Sequence, residues 1–270
     1  MGKRASIEFR CCDSTQGLLN CPAGSIDVIV CSPPYNVGTD YGQHKDNESR
    51  GEYLINMATW GLAARRALKE DGSLFLNIAG KPSDPWIPYD VLNSLREPFV
   101  LQNTIHWIKS IAIDGKTVGH YKPINSPRYL NQCHEFIFHL TKTGQVALDR
   151  MAMGVPYADT SNLHRWEGAK QSEVHCRGNC WYRPYKTRQE KSVHPAEFPE
   201  TLPDSCIRLH GVPAENGSAF VVCDPFCGTG ATAWAAANLG LSFIGFDINR
   251  EYLEEAMRRL QAIGVTADLK

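Results

Sequence analysis

The stretch DVIVCSPPYNVGTDY, residues 27–41, ends a buried strand abruptly. The apolar, β-branched run at residues 28–30 predicts that strand, and the turn SPPY, residues 32–35, stops it at once. Proline lacks a backbone N–H and pushes the preceding residue to extended angles, which explains a stop. Two consecutive prolines also fix the direction of a carbonyl, and an aromatic ring follows directly. The turn therefore indicates a rigid site at a strand end.

Size and composition indicate a globular α/β protein. A chain of 270 residues with 43% hydrophobic and 21% charged residues can form one sizeable domain with an embedded smaller module. No apolar run approaches the roughly 20 residues that cross a bilayer, so no membrane partner is expected. The ten cysteines lie mostly in apolar, strand-like runs and no secretory leader precedes them. They predict reduced thiols and a cytoplasmic protein.

The charge of the chain is unevenly distributed. Lys and Arg total 28 and Asp and Glu total 29, for a net charge of −1. Residues 106–191 contain 13 basic and 7 acidic residues, a net charge of +6, which leaves −7 for the remainder. A basic middle between acidic halves is typical of a localised surface for a polyanion. A solvated basic face without a partner would show the same pattern.

Strand-like and helix-like patterns alternate along most of the chain. They predict strands at residues 6–12, 26–32, 71–80, 99–109 and 134–142, and helices at residues 52–68 and 91–95. A helix with a proline-rich start is predicted at residues 194–211, followed by a strand, loop, helix, strand and helix that end near residue 260. No clear period is visible in residues 143–191. This alternation predicts a parallel sheet covered by helices on both faces.

A glycine loop follows the strand near residue 222, in VVCDPFCGTGATAWAAANLG. Gly228 and Gly230 let the backbone approach a ligand, and the helix that follows offers unpaired N–H groups. Asp247 ends the next strand, where a carboxylate can accept hydrogen bonds from both ribose hydroxyls. The loop also satisfies the dinucleotide pattern G-x-G-x-x-A through Ala233. It predicts a nucleoside-containing cofactor, with a purely structural turn as the alternative.

Two details distinguish among nucleoside cofactors. Asp224 stands just before the loop, where an acidic group suits a cationic ligand better than a pyrophosphate. S-adenosylmethionine carries an ammonium and a sulfonium, whereas a dinucleotide carries two phosphates. Only about twenty residues follow Asp247, so the further strands of a Rossmann-type sheet must come from the N-terminal half. This order predicts a circular permutation.

DPFCGTGAT with GFDI, preceded by HPAEFP and much earlier by SPPY, resembles the permuted β arrangement of amino-group DNA methyltransferases of restriction-modification systems. The resemblance covers residues 7–260. It implies a circularly permuted, Rossmann-like, S-adenosylmethionine-dependent methyltransferase fold with a mostly parallel sheet. Residues 1–109 and 192–270 would form the two halves of the catalytic domain. Residues 110–191 would form an inserted, irregular target-recognition region, with the strand at residues 133–141 belonging to the catalytic sheet.

The resemblance also implies roles for individual residues. The Ser32 hydroxyl and the Pro33 carbonyl would accept the two hydrogens of an exocyclic amine, with Pro34 stiffening the turn. Tyr35 would stack on a base that is flipped out of the duplex. The implied cofactor contacts are Asp13, His194, Pro195, Ala196, Phe198, Asp224, Phe226, Gly228, Gly230 and Asp247. For His194, a helix cap is an equal alternative.

The middle region mixes cations with aromatic rings, which suits phosphate contacts and stacking on unpaired bases. The expected partner is double-stranded DNA. The candidate nucleic-acid contacts are Arg165, Lys170, Arg177, Arg183, Lys186 and Arg188. Cys176 and Cys180 are spaced C-x3-C without a second nearby pair, so no metal is expected. Trp107 or Lys109 would line the base pocket or merely end a strand.

The sequence favours a particular base without fixing it. SPPY is more typical of enzymes that act on cytosine N4 and DPPY of those that act on adenine N6, so we predict cytosine-N4 methylation with adenine N6 as the alternative. Rival hypotheses are an RNA or protein N-methyltransferase, a nicotinamide oxidoreductase and a catalytically silent DNA-binding module. A restriction endonuclease is a candidate functional partner. Both a monomer and a homodimer remain open.

Overall fold

The computed structural model describes residues 5–41, 46–119, 123–159, 174–184, 197–213 and 217–270. The helices are α1 (Ser14–Leu19), α2 (Arg50–Ala67), α3 (Ile87–Ser94), α4 (Thr201–His210), α5 (Ala231–Asn238) and α6 (Arg250–Gln261). The strands of the main sheet are β1 (Ile7–Cys11), β2 (Ile26–Cys31), β3 (Leu68–Ile78), β4 (Val100–Ile108), β7 (His134–Thr141), β10 (Cys180–Tyr182), β11 (Val221–Asp224), β12 (Ser242–Asp247) and β13 (Asp268–Leu269). The remaining strands form two short pairs, β5 (Ser110–Ile113) with β6 (Lys116–Gly119) and β8 (Val155–Pro156) with β9 (Val174–His175).

The main sheet has nine strands in the order β10-β4-β7-β3-β2-β11-β12-β1-β13. All its pairings are parallel except those of β7, which runs antiparallel to both β3 and β4. Strand β2 pairs directly with β11, where Val28 lies opposite Val222. The strand that leads to SPPY therefore lies beside the strand that leads to the glycine loop, although the two are far apart in sequence. The predicted fold class, a mostly parallel and circularly permuted Rossmann-like sheet, is confirmed.

Helices cover both faces of the sheet. Successive side chains of a strand point to opposite sides, so each central strand contributes to two cores. In β2, Val28 and Val30 belong to a core packed under α4, α5 and α6. Ile29 and Cys31 belong to the opposite core, under α1, α2 and α3. A continuous apolar run with no polar alternation is what a strand buried on both faces requires.

The middle of the chain is predicted to be irregular, but the structure shows short strands there. Residues 110–119 form the hairpin β5–β6, and the three residues of β10 add a parallel edge strand to β4. Trp181 of β10 is 2% exposed, so this short strand is held by burial rather than by local propensity. The limits of the target-recognition region at residues 110 and 191 stay a prediction. In the ranges described above, no helix has the length and apolar character needed to cross a membrane.

Candidate active site

The carboxyl ends of β1, β2, β3, β11 and β12 open into a cavity of about 610 Å³. After β2 the chain continues toward one half of the sheet, and after β11 it continues toward the other half. The crevice between two such strands is where α/β sheets commonly bind ligands. The predicted site residues that line this cavity are Asp13, Ser32, Pro33, Pro34, Tyr35, Phe198, Phe226, Gly228 and Asp247. The structure thus brings the SPPY turn and the glycine loop into one site.

The glycine loop depends on left-handed backbone angles. Gly228 has φ of 48° and Gly230 has φ of 82°, a region that favours glycine. A Cβ on Gly230 would lie 2.8 Å from the Cβ of Ala256 on α6, which is closer than two carbon atoms can pack. Gly230 therefore lets α5 begin directly against α6, although it does not itself line the cavity.

Asp247 connects the end of β12 to the glycine loop. One oxygen of its carboxylate accepts the Gly228 N–H at 2.9 Å, and the other accepts the Asn249 N–H at 2.8 Å. Burial raises the pKa of Asp247, and the backbone N–H groups of Asn249 and Gly228 partly oppose that shift. Because each carboxylate oxygen has two lone pairs, the side chain retains acceptor capacity toward the cavity that it lines.

Asp224 has a structural role in addition to the cofactor contact that the sequence suggested. Its carboxyl group is 1% exposed and accepts hydrogen bonds from the Thr232 hydroxyl at 2.6 Å and the Phe226 N–H at 3.0 Å. Burial raises the pKa of Asp224 to about 7, against the effect of these two donors. The residue lies behind the glycine loop and outside the cavity lining. It ties the loop to α5, and its contact with a cofactor cation stays a prediction.

A charged cluster that the sequence did not reveal holds the segment before α4 over the glycine loop. Arg259 of α6 donates to the carboxylates of Glu197 and Glu200 and, at 2.9 Å, to the Thr229 carbonyl. The Thr229 hydroxyl also donates to Glu197, which lines the cavity. No local pattern could pair Arg259 with Glu197, since they are 62 residues apart.

The SPPY turn is held from two sides. The Tyr53 hydroxyl on α2 donates to the Pro34 carbonyl at 2.8 Å, which fixes the second proline. Beyond the turn, the buried carboxylate of Asp46 accepts three backbone N–H groups, at 2.6 Å from Asn36, 3.1 Å from Val37 and 3.0 Å from Thr39. The chain around the turn is therefore pre-organised by hydrogen bonds as well as by its prolines.

A polar network lies behind the turn, and two of its members, Asn77 and Glu135, also line the cavity. Glu135 is a residue that the sequence did not single out. Tyr35 Oη lies 2.8 Å from Ser32 Oγ and donates to Oε2 of Glu135 at 3.1 Å. Asn77 donates to the same Oε2 at 3.1 Å, and Lys109 Nζ lies 2.8 Å from Oε1. Glu135 reaches this edge because β7 runs antiparallel to its neighbours, so its first residues lie beside the last residues of β3.

The strand end at HWIKS contributes to the site in two ways. Trp107 lines the cavity and is fully buried, with its indole N–H donating to the Arg183 carbonyl at 2.7 Å. Lys109 pairs with Glu135, and its Nζ lies 5.8 Å from the centroid of the Trp107 ring. Lys109 thus belongs to the network behind the turn, whereas Trp107 forms part of the cavity wall.

Two of the residues predicted to contact nucleic acid lie in the described part of the chain, Arg177 and Arg183. Arg177 Nε donates to the Met153 carbonyl at 3.3 Å. Arg183 Nη2 donates to the Ser205 hydroxyl on α4 at 2.9 Å, and burial lowers the pKa of this guanidinium. Arg183 therefore contacts α4, and its phosphate contact stays a prediction. The other predicted residues in this part of the chain lie outside the described residues: Arg165, Lys170, Lys186, Arg188, His194, Pro195 and Ala196.

The cavity suits an adenosine-containing cation. Asp247 offers acceptors beside a glycine loop, and Asp13, which caps α1 through the Gln16 N–H at 3.0 Å, lies in the same wall. The Trp60 and Phe226 rings, 5.6 Å apart, supply an apolar surface. The buried Trp60 indole N–H has no hydrogen-bond partner in the described part of the chain. Carboxylates rather than cations around the loop match S-adenosylmethionine and not a pyrophosphate.

Among the described residues, no group of three His, Cys, Asp or Glu side chains could hold a metal ion.

Comparisons with known proteins agree with this geometry. The family described as DNA methylase, the N6/N4 methyltransferases, matches residues 26–258. The Type II methyltransferase M.HpaI of Haemophilus parainfluenzae is 30% identical over 257 residues, covering 93% of this chain and 73% of the relative. M.BglII of Bacillus subtilis is 27% identical, covering 92% and 67%.

Two solved structures share the fold. The PvuII DNA methyltransferase (cytosine-N4-specific) superposes with a TM-score of 0.68 at 18% identity, covering 99% of this chain and 96% of that one. The M1.HpyAVI–SAM complex superposes with a TM-score of 0.57 at 20% identity, covering 94% and 100%. The chain belongs to the DNA methylase family, whose members use S-adenosylmethionine to methylate the exocyclic amine of cytosine (N4) or adenine (N6).

Proposed function

We propose that this protein methylates the exocyclic N4 of cytosine at a specific sequence in double-stranded DNA. The observation that carries the proposal is the serine at the first position of the SPPY turn, at the mouth of the cavity that also contains the glycine loop. Serine at this position is more typical of cytosine-N4 enzymes than of adenine-N6 enzymes. Adenine N6 presents the same amine to the same acceptor and is the outcome that would correct the proposal.

The residues of the turn act on a weak nucleophile, because the lone pair of the amine is delocalised into the base. The Ser32 hydroxyl and the Pro33 carbonyl accept the two amine hydrogens away from the plane of the ring, which favours a pyramidal nitrogen. The hydrogen bond from Tyr53 to the Pro34 carbonyl holds the turn in this direction before the base arrives. Little reorganisation is then needed during the reaction.

The Tyr35 ring stacks on the target base after the base leaves the duplex, because the amine is otherwise engaged in pairing. The hydrogen bonds of the Tyr35 hydroxyl fix the plane of that ring. When bound, S-adenosylmethionine supplies a methyl group on a sulfonium, ready for direct displacement. Asp247 and the glycine loop would hold its ribose, and Asp13 would contact its adenine. Phe198, with His194, Pro195 and Ala196, would cover its methionine end.

The basic middle of the chain provides the DNA contacts in this proposal. Residues 110–191 act as the target-recognition region, with Arg165, Lys170, Arg177, Arg183, Lys186 and Arg188 near phosphates. We expect the protein to act in the cytoplasm, as a monomer or a homodimer, and a restriction endonuclease of the same sequence specificity is its expected functional partner. The expectation of an endonuclease partner is supported by relatives named as Type II methyltransferases.

The test is to identify the methylated base. Purified protein is incubated with unmethylated genomic DNA and isotopically labelled S-adenosylmethionine, and the DNA is digested to nucleosides for mass spectrometry. We expect N4-methylcytosine. N6-methyladenine would keep the fold and the site but overturn the base assignment. No labelled nucleoside, with the cofactor still bound, would reject DNA methylation and favour an RNA or protein substrate.

The variants Ser32→Ala and Tyr35→Ala test the roles of the SPPY turn in the same assay. Both side chains contact the base in this proposal, so both variants should lose methyl transfer while S-adenosylmethionine binding, measured by calorimetry, persists. A parent that binds DNA but transfers no methyl group, with both variants binding DNA equally, would identify a silent DNA-binding module instead.

A further inference from the structure

We propose that Glu135, held by Lys109, fixes the direction of the hydrogen bonds behind the SPPY turn and receives the proton that the methylated amine releases. This inference rests on the proposed function and extends it to a residue on a different strand. Glu135 would act through Tyr35 and Ser32 without touching the base, so it is a positioning and relay residue.

The direction of the hydrogen bonds follows from the carboxylate. Tyr35 Oη faces two acceptors away from Ser32, Oε2 of Glu135 at 3.1 Å and Oδ1 of Asn77 at 3.3 Å. Because an ionised carboxylate only accepts and is the stronger and nearer of the two, Tyr35 donates its single phenolic proton to Oε2. The contact of 2.8 Å between Tyr35 and Ser32 must then be made by the Ser32 proton. Both Ser32 lone pairs are thereby available as acceptors toward the cavity, as the amine requires. A neutral residue at position 135 would let the chain of hydrogen bonds reverse.

Lys109 makes this arrangement stable. Glu135 is only 8% exposed, and a buried carboxylate is costly unless it is paired and hydrogen-bonded. Lys109 pairs with Oε1 at 2.8 Å, which leaves Oε2 to Tyr35 and to the Asn77 amide at 3.1 Å. The two oxygens thus have separate roles, since Oε1 balances charge and Oε2 faces the reaction site.

The proton balance closes along the same path. The amine lone pair forms the new N–C bond while the S–C bond breaks and leaves its electron pair on sulfur. The positively charged amine then passes a proton to Ser32 Oγ, Ser32 passes its own proton to Tyr35, and Tyr35 passes its proton to Oε2 of Glu135. The products are a neutral methylated amine, a neutral thioether and a neutral carboxyl group, which later returns its proton to solvent.

The experiment compares single-turnover methylation by the parent, Glu135→Gln, Tyr35→Phe and the double variant. The substrate is a duplex carrying the sequence mapped from the methylated genomic DNA. Each single variant should slow transfer by about 100-fold, the lower range for proton transfer by a positioned group. The double variant should be no slower than the slower single variant, since both substitutions interrupt one path. Glu135→Asp, which keeps the charge, should recover part of the rate.

Binding measurements separate this role from a structural one. Calorimetry with S-adenosylmethionine and fluorescence of 2-aminopurine at the target position should give parental dissociation constants and parental base flipping for Glu135→Gln. Tyr35→Phe retains its ring and should also flip the base. The control is Glu70→Gln, which breaks a Lys–Glu pair of the same length, 2.8 Å, at the exposed start of β3 and should transfer at the parental rate.

The results distinguish failure of the relay from failure of the proposed function. A parent that produces no methylated base rejects the proposed function itself. A parent that methylates DNA while Glu135→Gln matches its rate rejects the relay. Losses that multiply in the double variant, or that accompany weaker cofactor binding or impaired flipping, also reject it, because they would assign Glu135 a structural role.

Discussion

Acidification should destabilise this protein through a histidine buried in the sheet, and the size of the effect can be worked from its surroundings. His139 of β7 is fully buried and stacks on Phe75 with 4.6 Å between ring centroids. Its Nε2 lies 2.9 Å from the Ser73 hydroxyl, and its Nδ1 lies 3.0 Å from the Asn103 amide. Burial, together with the neighbouring His210, lowers the pKa of His139 from 6.5 to about 4.

The sign follows from which state binds the proton. Between pH 6.5 and pH 4 the unfolded chain holds a proton on His139 that the folded chain does not, so the stabilisation is complete above pH 6.5 and is lost as the pH falls. From pH 7 to pH 5 this histidine alone should lower the free energy of unfolding by about 2 kcal/mol. His210 shifts in the same direction through burial and adds to the loss.

Urea unfolding of the parent and of His139→Gln, followed by tryptophan fluorescence at pH 7, 6 and 5, measures this effect. The variant is expected to be less stable at pH 7, because its side chain fills the site less well. Its disadvantage should shrink by about 2 kcal/mol by pH 5, since glutamine does not titrate. Titrating groups away from this site act on both proteins and cancel in the difference, whereas His210 interacts with His139 and contributes to it. Parallel stability curves for the two proteins over this range would refute the reasoning.

Three further predictions concern the cofactor side of the site. Asp247→Asn removes a carboxylate that accepts two backbone N–H groups and should weaken S-adenosylmethionine binding in calorimetry by about 2 kcal/mol, whereas Asp224→Asn, behind the loop, should weaken it far less. Equal losses in the two variants would place Asp224 in direct contact with the cofactor. Arg259→Ala leaves Glu197 without its cation and should lower the free energy of unfolding by about 2 kcal/mol, with Arg259→Lys recovering part of it; a loss below experimental error would deny the cluster its role. Gly230→Ala should cost about 2 kcal/mol of stability from its left-handed φ of 82° and its clash with α6, and an unchanged melting temperature would contradict that strain.

The regular part of the fold could be predicted because its signals are local. The apolar run of β2, the glycine loop and the amphipathic pattern of α6 each report their own structure within a few residues. The assignment of the SPPY turn and the glycine loop to one site comes from the resemblance to amino-group DNA methyltransferases. The structure explains why the two motifs meet, because parallel strands end at a common edge.

The rest depends on contacts between distant segments. Glu135 looks like an ordinary strand start in the sequence, and only the antiparallel placement of β7 brings it to Tyr35, 100 residues away. The same holds for the short strand β10, whose Trp181 is buried by its neighbours. Asp224 could be placed at the end of a strand, but its burial behind the loop required knowledge of where Thr232 lies.

The strand order has a consequence for synthesis on the ribosome. Strands β1 and β2 are made early, yet in the finished sheet β11 and β12 lie between them. Until those two strands emerge, β2 presents one unpaired edge and β1 has no partner in the central sheet, so the nascent chain carries exposed backbone donors and acceptors for most of its synthesis. The SPPY turn and the glycine loop share the β2–β11 junction, so they must come together late, at a high cost in loop closure. We therefore expect this protein to need chaperones that shield strand edges. Folds whose neighbouring strands are made in succession should need them less.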